Sequence, residues 1–223
     1  MNSPTIRLGG LAIILAAALA AGAGCEDPSV KFNQEGLALY KAGDYTRARA
    51  AFEEAIAQNP EIGGYYFNRG ICEQAMGHWD MAIFNYEMSM RMSPKVVDAY
   101  NNAAQCYVEK GDLAKAQEVL VTGTLANPYT GEAFVNVGRF FLSRGDIPNA
   151  RLWLSKAVAA DPDNAGAHLE YSQFLLKIGE REKGVAELRK SLNLNPLQPE
   201  ASATLTGLEP TGSQLPPPKP QTK

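Results

Sequence analysis

The chain has 223 residues, 45% of them hydrophobic, and its 24 acidic residues slightly outnumber its 21 Lys and Arg residues. This is the composition of a globular protein with one sizeable core, and a net charge of −3 argues against the clustered basic surface that nucleic-acid binding requires. Three cysteines and two histidines are too few and too scattered for a metal site or a disulfide framework. We therefore expect no nucleic-acid partner, no metal and no cofactor.

Residues 1–24 have the features of a secretory signal peptide. Arg7 is the only basic residue before the apolar run 8–23, and a small residue and a cysteine follow that run. The run has about 16 residues, whereas a membrane-spanning helix needs roughly 20. An uncleaved membrane anchor is the alternative. The sequence predicts export, with cleavage before Cys25.

The segment Gly22-Ala23-Gly24-Cys25 resembles a bacterial lipobox, although Gly22 stands where the usual residue is Leu. The resemblance implies that Cys25 becomes the mature N-terminus and that it carries acyl chains such as palmitate, which hold a protein firmly on a membrane when two or more are present. It also implies a bacterial cell-envelope protein, anchored by lipid in the outer membrane and facing the periplasm. The alternative is an incidental cysteine beside an ordinary cleavage site. Residues 25–28 would then be a short linker to the fold.

A 34-residue period runs through the rest of the chain. Prolines recur at Pro60, Pro94, Pro128, Pro162 and Pro196. Glycines keep the same spacing at Gly43, Gly77, Gly111, Gly145 and Gly179. An aromatic column consists of Phe32, Tyr66, Tyr100 and Phe134, with His168 as its fifth member. With proline at about 5% of residues, four such spacings would arise by chance roughly once in 10⁵.

These columns resemble the tetratricopeptide repeat, a helix–turn–helix unit of 34 residues. The resemblance implies an all-α fold, a right-handed α-solenoid of five such repeats. They tile the chain as 29–62, 63–96, 97–130, 131–164 and 165–198. Residues 199–208 are expected to form a short capping helix that shields the last repeat. Residues 209–223 are rich in Pro, Gly, Ser and Gln, which predicts a disordered tail.

Local chemistry supports the turn inside each repeat. The recurring glycine is suited to the left-handed backbone that closes a first helix. Asp44, Asp112 and Asp146 follow that glycine and are expected to cap the second helix. Cys72 and Cys106 take the same position in adjacent repeats, on helices whose spacing of about 8–10 Å is too wide for a disulfide. We expect both to be small buried core residues.

The resemblance also implies that the first helices line a concave groove that binds polypeptide. Position 6 of the five repeats is held by Gln34, Asn68, Asn102, Asn136 and Glu170. The three asparagines would form a ladder of amides that can hold an extended backbone; the alternative is that they only suit an exposed helix face or bond within their own repeats. Other candidate groove residues are Asn33, Leu37, Tyr40, Phe67, Ile71, Asn101, Gln105, Arg139 and Gln173. Arg139 is the main cation expected there, and an extended or amphipathic segment would suit the surface.

Two departures from the repeat pattern are interpreted as structural. Arg69 and Glu73 are four residues apart on one predicted helix, and we expect them to form an ion pair; the alternative is that they contact a binding partner. His168 replaces an aromatic residue and is expected to be a packing residue rather than a ligand or a base. No phosphate loop, HExxH or GxSxG motif is present in the sequence, so neither an enzyme nor a small-molecule substrate is predicted.

The function expected from these features is a non-enzymatic, membrane-anchored scaffold that helps to assemble an envelope protein complex. Exported lipoproteins built of such repeats resemble the pilotin-like factors of type IV pilus biogenesis, which help a secretin ring to assemble. An accessory factor of cell-wall remodelling and a structural bridge between membrane and cell wall are the alternatives from other classes.

Overall fold

A computed structural model describes residues 27–208, which form eleven α-helices and, within that range, no strand. The helices are α1 (Pro28–Lys41), α2 (Tyr45–Gln58), α3 (Gly63–Ala75), α4 (Trp79–Met92), α5 (Val97–Glu109), α6 (Leu113–Ala126), α7 (Gly131–Ser143), α8 (Ile147–Ala160), α9 (Ala165–Lys177), α10 (Arg181–Leu194) and α11 (Pro199–Leu208). The predicted all-α fold is confirmed for this part of the chain. The predictions for the signal peptide 1–24, for Cys25 and for the tail 209–223 lie outside the described residues.

The described helices belong to two compact units that divide after Ala126. In the first unit α1 packs on α2, α3 on α4 and α5 on α6, and α2 and α4 also contact the helix that follows them. In the second unit α7 packs on α8 and α9 on α10, while α11 packs on α10. Each helix pair corresponds to one 34-residue period, and α11 packs on the last pair. None of the helices in residues 27–208 is long and apolar enough to cross a bilayer.

The turn between the two helices of each repeat follows from its sequence. Each of the five recurring glycines has a φ between 73° and 85°, the left-handed region that other residues rarely adopt. Asp44 Oδ1 accepts a hydrogen bond from the backbone N–H of Arg47 at 3.1 Å, and Asp112 and Asp146 make the same capping bond. The predicted caps are confirmed.

The core of each unit combines large side chains with small residues that face them. In the first unit the rings of Phe67 and Tyr86 lie 5.7 Å apart, and a Cβ on Gly70 would come within 2.8 Å of the Tyr86 ring. In the second unit Leu154 packs against Phe174 and Leu175. The close approach of paired helices therefore depends on these small residues, and a side chain there would force the helices apart.

The two cysteines of the described region behave as the sequence predicts. Cys72 and Cys106 are fully buried and are not joined by a disulfide. Burial raises the pKa of each thiol to about 12. Both are therefore core residues, with no thiolate available for chemistry near neutral pH.

Candidate functional site

The predicted groove residues of the first unit separate into a buried set and an accessible set. They lie on the first helices of the repeats, α1, α3 and α5. Leu37, Phe67 and Ile71 are at most 8% exposed and belong to the core, so they pack beneath this surface and cannot contact a partner directly. The accessible members have partly exposed side chains; these are Tyr40, Asn101, Asn102 and Gln105. The accessible part of the face is therefore mainly a row of amides on α5.

Asn68, the first member of the predicted ladder, is buried in the described structure. Its Nδ2 donates a hydrogen bond to Asn33 Oδ1 at 2.9 Å, and both residues are only 2% exposed. The Oδ1 atom of Asn68 has no hydrogen-bond partner among the described residues. This bond joins α1 to α3, so the two amides connect consecutive repeats. The signal for it in the sequence is two asparagines 35 residues apart, one more than the repeat length.

Asn102 occupies a different environment from Asn68. Its side chain is partly exposed and forms a hydrogen bond with the hydroxyl of the fully buried Tyr86. The same hydroxyl donates to Gln74 Oε1. Burial raises the pKa of Tyr86, so this phenol remains neutral and available as a donor. Asn102 therefore sits at the edge of the core, with its amide partly accessible beside Gln74.

The candidate groove residues of the second unit include an internal ion pair. Asn136 is 7% exposed, whereas Arg139 and Gln173 are exposed. Nη2 of Arg139 bonds to Oε1 of Glu170, and this hydrogen bond raises the pKa of the guanidinium. Because Glu170 neutralises Arg139, this surface does not present a free cation to a partner at that point.

A cavity of about 420 Å³ lies in the last repeat of the second unit, between α9 and α11. Leu169 and Leu176 supply apolar lining, and Gln173 and Gln198 supply amides. Ser172 also lines it, but its Oγ is buried and has no hydrogen-bond partner among the described residues. The cavity is large enough for one or two side chains of a bound segment, and it includes the predicted groove residue Gln173.

The expected ion pair between Arg69 and Glu73 is wrong. Arg69 Nε donates to Asn85 Oδ1 at 2.6 Å, while Glu73 lies 2.8 Å from Nδ1 of His78 and 3.8 Å from Nη1 of Arg49. Glu73 is only 3% exposed, so both contacts satisfy a buried carboxylate. The four-residue spacing along one helix indicated a local pair, but Arg69 bonds to a residue of α4, and Glu73 contacts α2 and the turn before α4.

His168 is buried, as expected of a packing residue, and it also has two polar contacts that the sequence did not indicate. It is 4% exposed, with Nδ1 2.6 Å from Glu187 Oε2 and Nε2 2.9 Å from the carbonyl oxygen of Pro162. Glu187 lies on α10, and the Pro162 carbonyl belongs to the turn before α9. His168 therefore joins α9 to α10 inside the fifth repeat.

Two family models and a curated relative match parts of this chain. Two models of the tetratricopeptide repeat match the chain, one over residues 33–75 and 101–165 and the other over residues 141–208. A stretch of 92 residues is 33% identical to the low calcium response locus protein H of Yersinia pestis. That stretch is 41% of this chain and 52% of the relative, so the match spans about half the length of that protein.

Solved structures share the fold at low sequence identity. TTC0263, a thermophilic TPR protein of Thermus thermophilus, superimposes with a TM-score of 0.58 and 20% identity, over 81% of this chain and 98% of that one. PilW, titled a widely conserved type IV pilus biogenesis factor, gives a TM-score of 0.57 and 19% identity, over 82% and 88% of the two chains. At such identities the likeness speaks for the fold alone.

Proposed function

Because the chain belongs to the tetratricopeptide repeat family, whose models together match more than half of it, we propose that it is an exported, lipid-anchored scaffold that binds a polypeptide segment. Proteins of this family serve as scaffolds for protein–protein interaction.

The observation that carries the binding proposal is the row of partly exposed amides on α5. These amides belong to Asn101, Asn102 and Gln105. The Tyr86 hydroxyl bonds both to Asn102 and to Gln74 of α3, so it links the two amides. Asn102 already bonds with Tyr86, and Gln105 Nε2 donates to Glu109 Oε1 at 2.8 Å. Each amide still keeps donor or acceptor capacity for the backbone of an extended segment, which it can hold without reading the sequence of that segment. Tyr40 adds a partly exposed ring that suits an aliphatic or aromatic anchor. The occupant proposed is therefore an uncharged, extended segment with a few apolar side chains.

A crosslinking experiment in cells tests this face. A photoreactive residue at Asn101 should capture a protein partner, and one at Glu53, which is exposed on the second helix α2, should not capture it. Replacing Asn102 and Gln105 together by Ala should abolish the capture. The matched control is Gln117→Ala, which removes an exposed amide from α6. Capture that is indifferent to the double replacement would reject α5 as the binding face.

The proposed anchor is a lipid on Cys25, after removal of residues 1–24. The support is the lipobox-like segment and the short apolar run before it. Cells fed radiolabelled palmitate should label the protein, and Cys25→Ser should abolish the label. Label that persists in the variant would reject the anchor while leaving the binding proposal untouched. The location that follows from this proposal is the periplasmic face of a bacterial outer membrane.

A pilotin-like role in type IV pilus assembly is the second candidate function. The support is the shared fold with PilW at 19% identity together with the proposed export. Deletion of the gene should then remove surface pili and leave the secretin unassembled. Normal piliation in the deletion strain would eliminate this role and leave the general scaffold proposal standing.

A further inference from the structure

The second helix of repeat 2, α4, presents a stripe of large apolar side chains to solvent. Met81, Phe84 and Met92 are 49%, 50% and 39% exposed, and Met88 is half-buried between them. The four residues, here called the α4 stripe, are spaced i, i+3, i+7 and i+11, so they share one face of the helix. A different face of α4 supplies the core, through Ala82, Ile83, Asn85, Tyr86 and Ser89.

The repeat fold itself does not require this stripe. The other two repeats of the first unit have polar residues or alanine at the corresponding positions. These positions are exposed on α2, and all but Ala126 are exposed on α6. They are Arg47, Ala50, Glu54 and Gln58 on α2, and Lys115, Glu118, Thr122 and Ala126 on α6. An apolar stripe confined to one helix is costly in water unless something covers it, and methionine-rich surfaces are typical of binding faces.

We propose that the α4 stripe is the interface through which two copies of this chain associate, with their α4 helices antiparallel. The middle of the stripe lies between Phe84 and Met88, so a twofold axis there brings Phe84 of each copy against Met88 of the other. Such a pairing is self-complementary, as the interface of a twofold dimer must be. It also sets the two helix dipoles in opposite directions.

The charges along the border of the stripe fit the same arrangement. Asp80 lies in the first turn of α4 and Arg91 in its last turn. An antiparallel pair brings Asp80 of each copy to the end where Arg91 of the other copy lies, giving two symmetric ion pairs, whereas a parallel pair would place like charges together. Asp80 also pairs with Lys110 in its own chain, and that contact leaves the carboxylate 82% exposed. Glu87, near the middle of the helix, accepts a hydrogen bond from Tyr107 Oη at 3.2 Å, so it already has a partner.

The inference does not rest on the proposed function. The stripe lies on a second helix of a repeat, whereas the candidate groove residues lie on first helices. An apolar helix of another protein is a different occupant of the same stripe, and the experiment below separates the two.

The experiment is sedimentation velocity of the full chain in mild detergent, over a range of concentrations above micromolar. The unmodified chain should sediment as a dimer. Phe84→Glu should weaken the dimer on the order of 100-fold or more, because it would bury an unpaired carboxylate. The matched control is Leu152→Glu on α8, which occupies the same repeat position and is 46% exposed. It should leave the dimer unchanged, and far-UV circular dichroism should show that both variants keep their helices.

A charge swap supplies a second readout. Arg91→Asp and Asp80→Arg alone should each weaken the dimer, and the two together should restore it, because the ion pairs re-form with reversed sign. The proposal is overturned if the unmodified chain sediments as a monomer. A photoreactive residue at Phe84 that captures a different protein, while the chain itself stays monomeric, would identify the other occupant and would also overturn the proposal. It is also overturned if Phe84→Glu and Leu152→Glu act alike, or if the double swap fails to restore association.

Discussion

The first two repeats are joined by buried polar side chains, whereas the two repeats of the second unit are joined by partly exposed ion pairs. In the first unit, Asn68 bonds to Asn33, and Glu73 contacts Arg49 of the preceding repeat. In the second unit the Arg139–Glu170 pair joins α7 to α9, with side chains 50% and 25% exposed. The difference matters because a polar group without a hydrogen-bond partner lowers the stability of the fold when it is buried, but has little effect on stability when water reaches it.

The largest effect should follow the loss of Glu73. Its carboxylate contacts Arg49 and His78, and Arg49 Nε is already buried without a hydrogen-bond partner in the described region. Glu73→Ala should lower the free energy of unfolding by about 3 kcal/mol, because it removes the contacts with Arg49 and His78 and leaves a cavity. Urea unfolding followed by circular dichroism measures the change, and faster amide hydrogen exchange should be confined to α2 and α3.

Glu53→Ala provides the control for this prediction. Glu53 is exposed on α2, so its loss should leave the urea midpoint unchanged. Equal midpoints for Glu73→Ala and Glu53→Ala would contradict the idea that the buried carboxylate helps to hold the first two repeats together.

The next largest effect concerns the two buried amides. Asn33→Ala should cost about 2 kcal/mol, because the Nδ2 group of Asn68 would lose its acceptor inside the core. Replacing Asn33 and Asn68 together by Leu should recover most of that loss, since no polar group would remain unpaired. A double-mutant cycle of urea unfolding energies measures the coupling. Additive losses would mean that the two amides act independently.

Features that depend on neighbours along the chain could be predicted from the sequence. Gly43 adopts a positive φ and Asp44 caps α2 because both properties are set within one turn. The partners of Arg69 and Glu73 could not be predicted, because they lie on other helices or in the turn after α3, and the choice depends on which side-chain ends are buried. The burial of Asn68 could not be predicted for the same reason, because its position in the repeat indicated only that it lies on a first helix.

Acid should produce a smaller effect, concentrated in the second unit. Hydrogen bonds from Arg151 and Lys183 lower the pKa of Glu180 from 4.5 to about 2. Burial opposes the same shift at Glu187, but bonds from Lys190 and His168 hold the pKa of Glu187 below its ordinary value. A carboxyl group whose pKa is lower in the folded state stabilises the fold above its unfolded pKa, and that contribution is lost as the pH falls. Stability should therefore fall between about pH 4.5 and pH 2.

Urea midpoints at pH 7 and pH 3 measure this loss. Glu180→Gln should reduce the difference between the two midpoints, because the amide cannot titrate. Glu118→Gln, which alters an exposed pair with Lys115 in the first unit, is the matched control. An identical pH response in the wild type and in Glu180→Gln would show that this carboxyl group does not contribute to acid sensitivity.

The smallest effect on stability should come from the Arg139–Glu170 pair of the second unit, which is the exposed counterpart of the buried amides in the first unit. Arg139→Ala should cost less than about 1 kcal/mol, and the cost should vanish in high salt, because both side chains reach solvent. Arg139 is also a candidate groove residue, whereas Arg151, which pairs with Glu180, lies on a second helix. If the first helices bind the partner, Arg139→Ala should change partner capture and Arg151→Ala should not, although both leave the fold intact. A salt-resistant loss of stability in Arg139→Ala would instead mean that this pair stabilises the second unit in the way that the buried amides stabilise the first.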